Sequence, residues 1–333
     1  MRPKITFFDT KPYDKDIYQP LAEKMGFDVR FVFYHLTEDN ILLAQDADVV
    51  VIFVNDIINE KVINKLHNYG VKLIALRCAG FNNVDIRAAK DKIKVVRVPA
   101  YSPNAIAEHT VALMLSLNRK IHRAYFRTRD ANFSLNGLMG YNLSGKTAGV
   151  IGTGKIGKAL IKILKGFEME VLAYDPYPDD KLAKKLGYTY TDLDTIFQQS
   201  DVISLNCPLT RETKWLIDKD AIDMMKEGVM IINTGRGKLI KTLDLIEGLK
   251  SGKVSAAGLD VYEEESEFFF EDLSDQVLED DVLARLLTFN NVIVTSHQAF
   301  FTKEAFMNIA DTTLNNIKDF FDGKTLKNEV KLD

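Results

Sequence analysis

Three glycines, Gly152, Gly154 and Gly157, stand in the spacing G-x-G-x-x-G within "GVIGTGKIGKAL". Glycine supplies the positive φ of a tight turn, lets backbone come close to a ligand, and lets a helix pack tightly on a strand. Backbone N–H groups at the start of the following helix then face an anion. Glycine-rich turns are common, so the surroundings decide. The strand-like run "TAGVIG" leads in, and Ile156, Ala159, Leu160, Ile163 and Leu164 follow with helical period, leaving Lys158, Lys162 and Lys165 outside. A second run, "EVLAYD", ends in Asp175, 18 residues beyond Gly157, where a carboxylate accepts hydrogen bonds from a ribose diol. That carboxylate repels a 2′-phosphate, and "PYPDD" brings no arginine to replace it. These residues predict a dinucleotide, NAD rather than NADP, on the turn formed by Gly152, Thr153, Gly154, Lys155, Ile156 and Gly157.

In an open α/β sheet, ligands bind beyond the carboxyl ends of the strands. Three residue groups occupy such positions. "VMIIN" runs into "TGRG" and sets Arg236 on a glycine-flanked turn; "AAGLD" runs into "VYEEESE"; "NVIVTS" runs into His297. A guanidinium grips a carboxylate through two parallel hydrogen bonds, and an imidazole exchanges protons near neutral pH. A nearby glutamate stabilises the imidazolium and fixes which ring nitrogen faces a substrate. Position alone does not choose among Glu263, Glu264, Glu265 and Glu267. With a nicotinamide, such groups suit hydride transfer at a carbon bearing a hydroxyl next to a carboxylate.

The remaining candidates read as structural. His35, His67, His109 and His122 are ordinary packing histidines on this reading, His109 lying inside a long helix. The acidic tract from Glu263 to Asp281 is a solvated loop for most of its charges, and Phe268 to Phe270 within it serve packing, a lid or an interface. Cys78 and Cys207 have no neighbouring base and read as small apolar fillers. No metal-ligand spacing of histidine, cysteine and carboxylate occurs, so no metal is expected.

The elements that must position these groups alternate along the chain. "KITFFD", "DVRFVF", "ADVVVIFV" and "VKLIAL" are strand-like, and "TAGVIG", "EVLAYD", "DVISLN", "GVMIIN", "AAGLDV" and "NVIVTS" form a second series, with helix-period segments between. The pattern predicts an α/β protein with two doubly wound parallel sheets. A chain of 333 residues suits two domains with a cleft between them. The boundary is expected near "VPAYSPNAIAEHTVALMLSLNRKIHRAYF", one long helix with Ser102 as cap and Pro103 at its first position. "TKEAFMNIADTTLNNIKDFFDG" is helical and is expected to return to the first domain, making the second an insertion.

Composition narrows the partners. Hydrophobic residues make up 46% and charged residues 27%, with a net charge of −4, which gives no basic field for nucleic acid or an anionic membrane. The longest apolar run, Val49 to Val54, is far below the ~18–20 residues that span a bilayer. The start lacks a signal-peptide core. Two cysteines make no disulfide framework, so a reducing, cytoplasmic setting is expected.

With these residues in view, the whole chain resembles the D-isomer-specific 2-hydroxyacid dehydrogenases, most closely their D-lactate dehydrogenase branch. The resemblance rests on "RCAGFNNVD", "VPAYSPNAIAEHTVALML", "GTGKIG", "NTGRGKLI", "GLDVYEEE" and "TSHQAFFTKEA", all in family order. It implies a flavodoxin-like substrate domain (residues 1–100 and 299–333), a Rossmann NAD-binding domain (101–298) and a homodimer built around the latter. It implies that Arg236 holds the substrate carboxylate, assisted by the N–H groups of Ala79 and Gly80. His297 is then the acid/base and Glu265 its partner, five residues beyond the aspartate of "GLD". Tyr101, Phe53 and Phe300 border the substrate, and Cys207, Pro208, Thr213, Thr234, Gly235 and Asp260 line the cofactor region.

The implied reaction is reversible reduction of pyruvate by NADH to D-lactate. A D-2-hydroxyisocaproate-type enzyme acting on larger 2-keto acids is the alternative. The fold also serves NAD-sensing corepressors, which carry long tails that this chain lacks. Some lactate-type members have two tyrosines after the catalytic histidine, where this chain has Phe300 and Phe301; Phe53 also stands where tyrosine can occur. Both changes leave an apolar wall suited to a small methyl-bearing substrate.

Overall fold

The computed structural model describes residues 2–264 and 269–331. The chain divides into two units, Met1–Ser102 with Thr302–Asp333, and Pro103–Phe301. The sequence placed these divisions at 100/101 and 298/299, two and three residues earlier.

The first unit is built on a five-stranded parallel sheet: β1 (Lys4–Phe7), β2 (Asp28–Phe31), β3 (Val49–Ile52), β4 (Leu73–Leu76) and β5 (Lys94–Val96), in the order β2-β1-β3-β4-β5. This is the flavodoxin-like order, with its reversal between β1 and β3. β3 and β4 are buried at every residue, as parallel strands covered on both faces must be. The helix Lys303–Phe321 packs on this unit, its Phe306 ring meeting Tyr13 edge-on at 5.5 Å. Val330 N donates to Val95 O at 2.8 Å and ties the following segment to β5.

The second unit carries seven parallel strands: β6 (Thr147–Ile151), β7 (Glu170–Tyr174), β8 (Thr189–Tyr190), β9 (Val202–Leu205), β10 (Val229–Asn233), β11 (Val254–Leu259) and β12 (Val292–Val294). Their order, β12-β11-β10-β9-β6-β7-β8, is that of a Rossmann sheet with one strand added, and it reverses between β6 and β9. Successive residues alternate between two cores. Val150, Val202, Met230 and Ile232 enter one apolar cluster, while Ile151, Ile203 and Ile231 enter the other. Each such buried side chain contributes roughly 1.5–3 kcal/mol, which fixes the strand register and with it the loops at the strand ends.

β5 and β8 escaped the sequence reading. The expected long helix is also two: Pro103–Asn118 and Ile121–Arg129, separated by Lys120 at φ +52°. The side chain of Asn118 explains the break, because it pairs with the backbone of Tyr141 in both directions, at 2.8 and 2.9 Å. Among the described residues no helix is long and apolar enough to cross a membrane.

Candidate active site

The glycine turn lies where the strand order of the second unit reverses. Gly152 has φ +95°, and a Cβ on it would stand 2.6 Å from both Asn206 C and Cys207 N in the loop after β9. A Cβ on Gly157 would stand 2.0 Å from Gly152 O, so only glycine lets the helix Lys155–Gly166 start this close to β6. At Gly154 a Cβ would meet nothing within 4 Å. The turn is thus jammed on its inner side and open at its middle glycine, as a backbone cradle for a pyrophosphate requires. Gly154 and Lys155 are exposed and Ile156 is half-buried.

Asp175 follows β7 and accepts Thr153 N at 2.7 Å, Thr153 Oγ1 at 3.0 Å and Tyr177 N at 2.9 Å. Partial burial alone would raise its pKa, but these donors outweigh it and hold the carboxyl below its usual range. An ionised carboxylate is what a ribose diol needs. Tyr190 Oη, 2.8 Å from Thr153 Oγ1, braces the same turn from β8, a contact no sequence spacing reveals. After β9, Thr213 Oγ1 donates to Pro208 O at 2.7 Å and closes a turn beside Cys207. Burial pushes the Cys207 thiol up to about 11, so it is a neutral, compact wall.

The Arg236 turn is pinned from beneath by Asn233, which is 1% exposed. Its Oδ1 accepts Gly235 N at 3.0 Å and its Nδ2 donates to Arg236 O at 2.9 Å. A Cβ on Gly237 would lie 1.8 Å from Tyr262 O, so this turn and the segment after Asp260 are in backbone contact. Among the described residues, the Arg236 guanidinium makes one hydrogen bond, from Nη1 to Gly235 O at 2.8 Å, and no ion pair. Its other N–H groups have no partner among the described residues.

Of the glutamates left open by position, two are engaged elsewhere. Glu263 accepts Trp215 Nε1 at 2.7 Å, Thr242 N at 3.0 Å and Thr242 Oγ1 at 2.8 Å. Glu264 pairs with Lys238 at 3.2 Å. Glu265, Glu267 and Phe268 lie outside the described residues.

His297 follows β12 in a left-handed conformation, φ +53°. Its amide donates to Asp260 O at 2.8 Å, and its ring lies 5.8 Å from that of Phe270. Asp260 is fully buried and organises the loop: Oδ1 accepts Thr295 Oγ1 at 2.5 Å and Gln298 N at 2.9 Å, and Oδ2 accepts Ala299 N at 2.8 Å. Thr234 lies in the Arg236 turn, and Phe300 packs edge-on against Phe301 at 5.9 Å.

The first unit brings its own candidates to the carboxyl ends of β3, β4 and β5. The N–H groups of Ala79 and Gly80 make no hydrogen bond among the described residues, while their strand-end loop is held by Arg97 Nη1 donating to Ala79 O at 2.7 Å and Cys78 Sγ to Gly80 O at 3.3 Å. Two successive amides without a partner among the described residues are donors that an anion could use. Phe53, after β3, lies under the Arg77 guanidinium at 4.4 Å from its ring centre, and Tyr101 O accepts Asn308 Nδ2 at 3.0 Å.

A doubly wound sheet, a glycine cradle at its switch point and an ionised carboxylate at the end of the next strand define a dinucleotide-binding α/β protein. Residues 111–299 match the model for the D-isomer specific 2-hydroxyacid dehydrogenase NAD binding domain. The chain is 53% identical over 328 residues to the D-lactate dehydrogenase of Escherichia coli (strain K12), covering 98% of this chain and 99% of that one. Among solved structures it is similar to the apo-structure of that E. coli enzyme, with TM-score 0.91 and 52% identity over 98% of this chain and 100% of the other. A pyruvate reductase of Chlamydomonas reinhardtii superposes with TM-score 0.94 and 43% identity over 98% of each chain. The chain belongs to the D-isomer-specific 2-hydroxyacid dehydrogenase family. It is an NAD-dependent oxidoreductase.

Proposed function

We propose that the chain is a D-lactate dehydrogenase, reversibly reducing pyruvate to D-lactate. The single observation that carries the reading is that Arg236 and His297 follow β10 and β12 of one NAD-binding sheet, on the strand-end turns either side of the one after β11, with the guanidinium making no ion pair among the described residues. Its support in the comparisons is the identity with the E. coli enzyme of that name.

In this reading the first unit is the substrate domain and the second the NAD-binding domain. The turn Gly152–Gly157 and Asp175 hold the cofactor, with Cys207, Pro208, Thr213, Thr234, Gly235 and Asp260 around it. When bound, NADH supplies the hydride received by C2 of the keto acid. Arg236 orients the substrate carboxylate, and the free amides of Ala79 and Gly80 add two donors to it. His297 gives its proton to the carbonyl oxygen as negative charge develops there, and takes it back in oxidation. Glu265 stabilises the imidazolium; the engagement of Glu263 and Glu264 by other partners supports this choice. Phe53, Tyr101 and Phe300 enclose the small methyl end.

The chain also reads as a cytoplasmic homodimer. Both cysteines are free thiols, in keeping with a reducing compartment. The helix Ile121–Arg129 buries none of its residues, and Ile121, Phe126, Phe133, Leu135 and Met139 are exposed, an apolar surface suited to a second copy of the NAD-binding domain.

The test follows NADH absorbance with pyruvate and with 2-ketoisocaproate, repeats it with NADPH, and assigns the enantiomer formed. Preferred turnover of pyruvate to D-lactate is expected. Preference for 2-ketoisocaproate, or no turnover of either with NADH bound, overturns the substrate.

A further inference from the structure

Two adjacent residues of the helix Pro103–Asn118 reach the two turns that carry Arg236 and His297. Thr110 Oγ1 donates to Ile106 O at 2.8 Å within the helix. A hydroxyl has one proton, so the 2.9 Å bond between Thr110 Oγ1 and Thr234 Oγ1 is donated by Thr234, two residues ahead of Arg236. One position earlier, His109 Nε2 stands 3.2 Å from Thr295 Oγ1 and 3.4 Å from Asp260 Oδ1. Thr295 Oγ1 gives its proton to Asp260 Oδ1, so its oxygen accepts from His109. The imidazole therefore carries hydrogen on Nε2, and a relay runs from His109 through Thr295 to Asp260. The same carboxylate accepts Gln298 N on Oδ1 and Ala299 N on Oδ2, the amides of the two residues after His297.

We infer that His109 and Thr110 are positioning residues: through side-chain hydrogen bonds they fix the Arg236 turn and the His297 turn to one helix, so that carboxylate holder and proton donor keep a constant separation. Neither touches the substrate. The inference rests on the proposed roles of Arg236 and His297. A purely packing role for His109 predicts something different, lower thermal stability with the chemical step unchanged.

The test compares His109→Phe, which keeps a flat ring and loses the donor, with His109→Gln, which keeps an N–H. His109→Phe is expected to lower kcat for pyruvate reduction about tenfold or more, since small misplacements of reacting groups are costly, while NADH affinity stays within about twofold. His109→Gln is expected to recover most of the loss. Thr295→Val breaks the same relay, so the double variant His109→Phe with Thr295→Val loses no more than the worse single one. Losses that multiply, or wild-type kcat in His109→Phe, overturn the inference. If His109→Phe does not fold, Thr295→Val against Thr295→Ser makes the same comparison, with loss expected only in the valine variant. The imidazole NMR signals of His297 give a readout independent of turnover: they shift in His109→Phe or Thr295→Val, and unchanged signals overturn the inference. A wild-type protein that reduces no 2-keto acid sinks the assigned reaction, and the NMR comparison still decides the positioning role.

Discussion

The main-chain carbonyl of Asp260 accepts the amide of His297 at 2.8 Å, while its carboxylate holds the amides of the next two residues. One buried residue thus uses both backbone and side chain to keep His297 at a φ of +53°, a region costly for a residue with a Cβ. Asp260→Asn keeps the shape but turns one acceptor into a donor facing N–H or O–H groups. We expect a loss of roughly 1–3 kcal/mol in stability, read by denaturant unfolding, together with a fall in kcat. An unchanged unfolding midpoint would remove the carboxylate from this role.

The same residue predicts an acid transition. Burial would raise the Asp260 pKa, but hydrogen bonds from His109, Thr295 and Ala299 and the charge of His297 hold it below its ordinary 3.8. A folded-state pKa below the unfolded one gives stabilisation that is complete above the unfolded value and is lost as pH falls through the folded value. Amide exchange at Gln298 and Ala299 should therefore stay protected down to about pH 4 and be lost only in stronger acid. Loss of protection already near neutrality would contradict this sign.

Arg236→Lys tests the planar fork. A lysine keeps the charge and loses the second parallel hydrogen bond. Losing a charge-assisted bond of roughly 1.5–3 kcal/mol should lower kcat/KM for pyruvate by about tenfold to a hundredfold, mainly through KM. NADH binding measured by titration should barely change. Equal catalysis by the lysine variant would show that only charge is required.

The proton-carrying role proposed for His297 predicts opposite pH dependences in the two directions. Reduction would need the imidazolium and oxidation the neutral ring, so the first should fall and the second rise as pH increases. In His297→Gln both rates should fall by roughly 10²–10⁴-fold. Parallel pH profiles for the two directions would exclude His297 as the proton carrier.

Asp175→Ala should weaken NADH binding and raise the relative use of NADPH, because the carboxylate proposed to accept the ribose hydroxyls and repel a 2′-phosphate is gone. Steady-state KM values for the two cofactors measure this. An unaltered ratio would place cofactor choice elsewhere.

Ten strands were legible as apolar or alternating runs, most clearly β3, β4, β9 and β10, which are buried at every residue. β5 and β8, "KVV" and "TY", were not: two apolar residues in the first and a two-residue run in the second are too few to show a period. The break at Lys120 was hidden as well: "LNRKIHRAYF" contains no glycine or proline, and the cause, Asn118 binding Tyr141, comes from 23 residues further on. At the site, Gly152, Gly157 and Gly237 were legible as glycines, and the structure supplies the backbone atoms that exclude a Cβ. His109 looked like any helical histidine. Its only sequence signal was a His-Thr pair inside the apolar stretch "AIAEHTVALML", and its partners arrive from β11 and β12 only in the folded sheet.

The contact between Trp215 and Glu263 has an optical consequence. Trp215 is the sole tryptophan of the chain, and its indole N–H is bound to the carboxylate that stands two residues before Glu265. Tryptophan emission from this protein is therefore a single-site signal. A shift in its colour or intensity when cofactor or keto acid is added reports the surroundings of that one ring and its Glu263 partner, without any label being introduced.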